Sequence, residues 1–470
     1  VFILFVIINT FLSYRYHHKK SGLSSESTMR TFAMNLADTR ELKISKFKKF
    51  KVQNSQNEIL DGSVISDKDG KLVFIPKYLE NEKNVIARAR YTKSLHTIGW
   101  SRLHVETFDN TTPEIQSWAA GFLEGKLTSV QILDFYKNLI GIHSSEKEYL
   151  NDVFDFYKKV EEFIRYKTSK SVLVNNKGKM LEYWISVAMV QAQTDGLMAG
   201  YASSQPLEAL NLSQFYFINA DGEVPELFTV FKNRSKGSSF YSFKEEEKFS
   251  KRYLKKYFGF KDPQKVWDKL MSNSHCSAIV KVIKDMNGKV NDILVGHTTW
   301  DSYAEMHRIM KMYRFSYTIN SNMKKDSLIT FSSYPGTLTS TDDYYVINNK
   351  ILVTETTLEM LDRSVYNNIP GPDEYIPNYI RISVANRLAN SGKEWTELFS
   401  LNNSGTYNSQ WMILDISKLE NQPNEAVEAP HPAQPGSLFD TFNLNKPIEE
   451  YKFNNIPGFR FKEDVKGLFY

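Results

Sequence analysis

The strongest constraint on this chain is a change of rhythm near residue 276. Upstream, apolar residues recur at helical spacing. Thr112-Pro113-Glu114 reads as a helix start, with Pro at the first position and an acid in the first turn. That helix carries Trp118, Phe122 and Leu123, and Gly125 is expected to stop it. Thr128 with Gln131 has the capping-box spacing for a second helix whose face holds Ile132, Phe135, Tyr136, Leu139 and Ile140. Glu146 to Tyr166 repeats the helical rhythm, and Leu181 to Tyr201 is apolar on most sides, as a buried helix would be. Downstream, short strand-like runs alternate with hairpin punctuation: SAIVKVI, an Asn287-Gly288 turn, DILVGH, LITFSS, YYVI, an Asn348-Asn349 turn and KILVTETT. A helix is expected at Asp301 to Phe315, with Tyr303, Met306, Ile309, Met310 and Tyr313 on one face. Residues 73–107 also look β-rich. This order points to an α+β or layered αββα domain rather than a doubly wound parallel sheet.

Composition fits one large core. The 470 residues include 14% aromatics and 24% charged residues, which excludes a disordered polymer and a multi-span membrane protein. A net charge of +5 over this length demands no nucleic-acid partner. The first residues, VFILFVIINTFLSY, form an apolar run shorter than the ~20 residues of a spanning helix, so 1–20 is read as a signal peptide or anchor. Residues 21–60, with a basic stretch from Lys43 to Lys51, are read as a leader segment. Residues 61–275 form a helical and β portion, 276–420 a β-rich portion of the same domain, and 421–470 a Pro-rich linker and divergent tail. Sequons at Asn110, Asn211, Asn233 and Asn402 fit a secretory route. The first three are taken as glycosylation sites; that at Asn402 is expected to stay unused if the adjacent Asn403 works in a buried site.

Cys276 is the chain's one cysteine, which excludes an intramolecular disulfide and any multi-Cys metal cluster. A nucleophilic thiol needs a base. The distant downstream histidine, His431, lies among prolines and is poorly placed to serve. Cleavage of the His275–Cys276 bond would instead create an α-amino group, with an ordinary pKa of about 7.7–8.0, on the nucleophile itself. The same thiol can make that cut by attacking the carbonyl of His275 and passing through a thioester. The adjacent acids Asp342 and Asp343 are read as a solvated turn, and no metal or other cofactor is expected.

Eight ordered blocks resemble the phospholipase B-like proteins, members of the N-terminal nucleophile hydrolases. They are WAAGFLEGKLT (118–128), YWISVAMVQAQTDGLMAGY (183–201), HCSAIVKV (275–282), VGHTTWDSY (295–303), SSYPGTLTSTDDYYV (332–346), ILVTETT (351–357), VANRLA (384–389) and NNSGTYNSQWMILD (402–415). The resemblance implies a four-layer αββα sandwich with a helical N-terminal portion. It implies Cys276 as nucleophile, site roles for His297, Trp300 and Asp301, and Asn403 as an oxyanion donor. The implied activity is that of a secreted or lysosomal hydrolase removing fatty-acyl chains from phospholipids, in transient contact with a membrane surface. Two alternatives stay open: a lipid or peptide amidase of the same mechanism, and a non-catalytic lipid-binding lysosomal glycoprotein. Oligomeric state is left open. The family usually carries further cysteines, which this chain lacks, and the segment after Lys418 matches poorly.

Overall fold

The structure is a computed structural model that describes residues 58–80, 83–173, 175–235, 276–288, 290–320, 323–357, 366 and 368–418. Most of the expected leader, His275 and the Pro-rich stretch lie outside the described residues. Four strands come first: β1 (Glu58–Ser66), β2 (Leu72–Ile75), β3 (Val85–Lys93) and β4 (Ser101–Thr107). The longer helices that follow are α1 (Pro113–Leu127), α2 (Ser129–Ile142), α3 (Leu150–Lys167), α4 (Gly178–Ala202), α5 (Leu212–Asn219) and α6 (Val224–Ser235). After residue 275 come β5 (Cys276–Lys284), β6 (Val290–Thr299), β7 (Ile309–Asn320), β8 (Met323–Ser333), β9 (Tyr344–Ile347), β10 (Ile351–Thr356), α7 (Asn378–Leu388), α8 (Gly392–Ser400) and β11 (Gln410–Asp415).

Nine strands make one sheet in the order β11-β10-β9-β8-β7-β4-β3-β1-β2. Its ladders are antiparallel except where β4 meets β7, the parallel junction between upstream and downstream strands. β5 and β6 form a separate hairpin. Alternation along β10 shows how both faces are covered. Ile351 and Val353 join the main core, whereas Leu352, with Leu414, packs against Val280, Val282, Ile293 and Val295 of the hairpin. No helix among the described residues is long and apolar enough to cross a membrane.

The helix starts and turns follow local chemistry. The Thr112 side chain accepts from the Ile115 N–H and Pro113 sits at the first helical position. Asn348 and Asn349 both adopt positive φ, 52° and 55°, as the tight β9–β10 turn requires. Three expectations change. Thr128 makes no side-chain cap for α2; its hydroxyl donates to the Glu124 carbonyl at 2.7 Å, closing α1. Gly125 does not stop α1. Together with Gly121 it faces Gly196 and Gly200 of α4, and a Cβ on any of the four would lie 1.9–2.0 Å from a backbone oxygen of the other helix. The bare glycines let two helical backbones touch.

The third change is the expected helix from Asp301 to Phe315, which is a short 3₁₀ turn, Tyr303–Glu305, followed by β7. Ile309, Lys311, Tyr313, Phe315 and Tyr317 are all buried, a period of two. Tyr303, Met306 and Met310, meant for a helix core, are exposed.

Candidate active site

Cys276 opens β5 opposite Thr299 of β6, with Ala278 and His297 forming the next pair on the same face. The thiol is half-buried. The Trp300 backbone N–H and the Thr357 side chain hydrogen-bond to it, and the carboxyls of Glu355 and Asp343 lie close enough to act on its charge. Burial first, then these two acids, push the thiol up to about 12.

His297 bonds through Nε2 to the carbonyl of Glu355 at 2.9 Å, and burial lowers its pKa. The Trp300 indole is exposed, so this residue reaches the thiol through its backbone. Asp301 turns elsewhere: its Oδ1 accepts the Ser302 N–H at 2.7 Å, and its side chain bonds to Glu305. Asn403 is exposed and its Oδ1 accepts the Gly405 N–H at 2.9 Å in a local turn; no described contact joins it to Cys276. Asn110 and Asn211 are exposed, Asn110 donating to the Val85 carbonyl and Asn211 capping α5. Asn233 lies in α6 and its side chain is not described.

The residues that sequence reasoning missed are Asp343, Glu355 and Tyr407. Asp342 and Asp343 do not form a solvated turn; they are 7% and 0% exposed. The loop carrying them is buried because its polar groups find partners inside the protein. Lys311, fully buried and paired with Glu124 at 2.7 Å, donates to the carbonyls of Tyr334 and Thr337, each at 2.6 Å. Asn219 donates to the Gly336 carbonyl and accepts the Leu338 N–H. Phe135 stacks on Tyr334, whose hydroxyl donates to Asp342 at 2.6 Å. The loop thus delivers Asp343, in left-handed conformation (φ 48°), against Glu355 on β10.

Tyr407 joins the two acids, its hydroxyl donating to Asp343 and, at 3.4 Å, to Glu355. Its N–H donates to Glu226 at 2.6 Å. The ring lies so close to Gly222 that a Cβ there would sit 2.5 Å from it. Burial raises both carboxyls, Glu355 to about 7 and Asp343 well above the usual range; the charge of Glu355 raises Asp343 further, whereas hydrogen bonds from Asp343, Ser409 and Tyr407 pull Glu355 partly back. The site is therefore a thiol at the mouth of a buried acid pair. Among the described residues no group of three His, Cys, Asp or Glu side chains is arranged to hold a metal ion.

Comparison with known proteins agrees with the ordered blocks. The phospholipase B family model matches residues 87–433. Phospholipase B-like protein C of Dictyostelium discoideum is 34% identical over 370 residues, covering 78% of this chain and 59% of that protein. Phospholipase B-like 1 of Homo sapiens is 31% identical over 348 residues, covering 72% and 55%. Phospholipase B of Crotalus adamanteus is 30% identical over 347 residues, covering 73% and 57%. The match thus spans less than two thirds of each of these relatives. With the family model covering most of the chain and the relatives matching through the same region, the chain belongs to the phospholipase B family.

Proposed function

We propose that the chain is an acyl hydrolase of phospholipid esters whose nucleophile is Cys276, made N-terminal by cleavage of the His275–Cys276 bond. The environment of the uncut thiol is the observation that carries this reading. With its pKa pushed up to about 12, the thiol stays protonated at any physiological pH. His297 is tied to the Glu355 carbonyl, and the raised carboxyls are neutral acids below neutral pH. Cleavage supplies an amine on the same residue. That amine takes the thiol proton while sulfur attacks the acyl carbonyl. The oxyanion forms beside the Trp300 N–H, and its collapse expels the alcohol, which receives the proton. Water then attacks the thioester, releases the fatty acid and restores the thiol. An acidic, secreted or lysosomal setting suits acids that must stay neutral, and the β5–β6 hairpin fits as part of the second sheet of an αββα sandwich.

The uncut thiol's inertness also favours a second reading, a non-catalytic lipid-binding protein. N-terminal sequencing and intact mass separate them first: a fragment should begin at Cys276, and Cys276→Ala should remain one chain. Processed protein should then release fatty acid from a diacyl phospholipid, and thiol alkylation should abolish release. Comparing ester and amide lipids decides between lipase and amidase. Processed protein that binds lipid yet turns over neither, from acidic to neutral pH, would establish the binding protein. An active unprocessed chain would refute the N-terminal nucleophile.

A further inference from the structure

Beside Asp343, the turn at 219–223 and the loop at 339–343 line a cavity of about 20 Å³ whose lining includes Asn219, Gly222, Glu223, Thr341, Asp343 and Tyr407. Three side-chain oxygens of those residues accept no hydrogen bond from an N–H or hydroxyl group among the described residues: Glu223 Oε2, Thr341 Oγ1 and Asp343 Oδ1, the Asp343 carboxyl being bonded otherwise to Tyr407 and Glu355. Both carboxyl side chains are completely buried. A buried polar atom left without a partner is strongly disfavoured, and an ordered water with two to four partners is the usual remedy. Roughly 10–15 Å³ is needed for one water, so this space takes a single molecule.

We infer that one ordered water fills this cavity and hydrogen-bonds Glu223 and Asp343 at once, making Glu223 a reserve proton donor to the acid pair beside Cys276. The transfer is balanced. Protonated Glu223 gives its proton to the water, and the water gives one of its own to the Asp343 carboxylate. Glu223 is left as a carboxylate, Asp343 as an acid, and the water is unchanged.

The surroundings fit a proton held in reserve. Glu223 Oε1 accepts the Asn378 N–H at 2.8 Å and the hydroxyls of Thr406 and Ser404 at 2.9 and 3.2 Å, which leaves Oε2 for the cavity. The charge facing Glu223 is Arg381 on α7; Tyr157 of α3, Tyr375 and Tyr379 of α7 are its other titratable neighbours. Asp343 faces Glu355 on β10, Asp342 in its own loop, Tyr345 on β9, Tyr407 and Cys276 on β5. Burial raises Glu223 to about 7, so it holds a proton through the acid range.

Its consequence for turnover rests on the proposed role of Cys276; the shared water does not. The test is an infrared titration of the buried carboxyls in the full chain, with Glu223→Gln and Asp343→Asn identifying the bands. Two acids that share one water cannot ionise independently, so the acid that ionises second is raised by the carboxylate formed first, and removing that first carboxylate should lower its midpoint by about one pH unit. Thr341→Val, which keeps both acids but removes one partner of the water, should weaken that coupling. It carries the test with Asp343→Asn if Glu223→Gln fails to fold. A high-resolution crystal structure should show density for one water. An empty cavity, or midpoints indifferent to the other acid's removal, would overturn the inference and leave Glu223 as an anchor for residues 404–406. Coupled midpoints in a protein that releases no fatty acid would instead sink the functional reading alone.

Discussion

The α1–α4 seam allows one substitution type to be tested with opposite expected signs. A Cβ at Gly196 would lie 2.0 Å from the Trp118 carbonyl oxygen, against a practical lower limit of 3.0 Å, so Gly196→Ala must open the seam by about 1 Å. Overpacking costs about 1–3 kcal/mol where side chains can shift. Here backbone meets backbone, so the upper end applies, about 3 kcal/mol. At about 2 °C per kcal/mol for a domain of this size, Tm should fall by about 6 °C. Gly141, inside α2, has nothing within 4 Å of its would-be Cβ. Gly141→Ala should therefore stabilise by about 0.5–1 kcal/mol through helix propensity. The assay is a pair of urea and thermal unfolding curves against the parent. The damage from Gly196→Ala should also reach the site, because α1 carries Glu124, which holds Lys311 and through it the loop of Asp343. Equal signs for the two substitutions, or an unchanged Tm in Gly196→Ala, would refute the close-approach argument.

The same network makes Lys311→Met costly: it strands Glu124 and two loop carbonyls in a dry interior, so unfolding should show a loss of about 3–5 kcal/mol. Adding Glu124→Gln should recover part of it, and full additivity would contradict the pairing. For Glu223, the folded pKa of about 7 exceeds the 4.5 of an ordinary glutamate side chain. Its stabilising contribution is thus complete below about 4.5 and lost as pH rises through 7. Glu223→Gln should therefore gain on the parent by about 3 kcal/mol between those pH values, measured as the difference in unfolding free energy; a pH-independent difference would count against the buried acid. Asn403→Ala should lose some stability with its turn but keep turnover within a few-fold, whereas an oxyanion donor there would cost about 10²–10³ in kcat.

Much of the fold was legible where local chemistry decides it. Pairs such as Asn287-Gly288 and Asn348-Asn349 force tight turns, and the face of α2 with Ile132, Phe135 and Leu139 buries as its spacing requires. The signal failed where a distant partner decides. Lys311 reads as a polar interruption, so the alternation of β7 is disguised; it is buried only because Glu124, 187 residues away in sequence, neutralises it. Asp343 reads as solvated because its partners, Tyr407 and Glu355, come from other elements. The blocks SSYPGTLTSTDDYYV and NNSGTYNSQWMILD contained Asp343 and Tyr407, yet no local feature set either apart from a turn residue. Cys276 was different: its singularity and its place at a strand start mark it without any distant partner.

The sheet order bears on what a cut before Cys276 would do. The upstream part supplies β1 to β4 and the downstream part β7 to β11, joined by the ladder from Ser101↔Ile309 to Glu106↔Arg314. The Glu124–Lys311 pair and the bonds from Ser404 and Thr406 to Glu223 also cross that point. Two fragments would therefore share one sheet and one core, and the site would draw on both, with Gly222 and Glu223 from one and Cys276, Asp343, Glu355 and Tyr407 from the other. Burial disfavours charge of either sign, so the surroundings that hold the thiol protonated would also drive a new α-ammonium to lose its proton, provided the adjacent acids are neutral. Ionised, those acids would stabilise the ammonium and remove the base. The raised carboxyls of Asp343 and Glu355 thus have a chemical use in the proposed mechanism: as neutral acids they leave the amine free to take the thiol's proton.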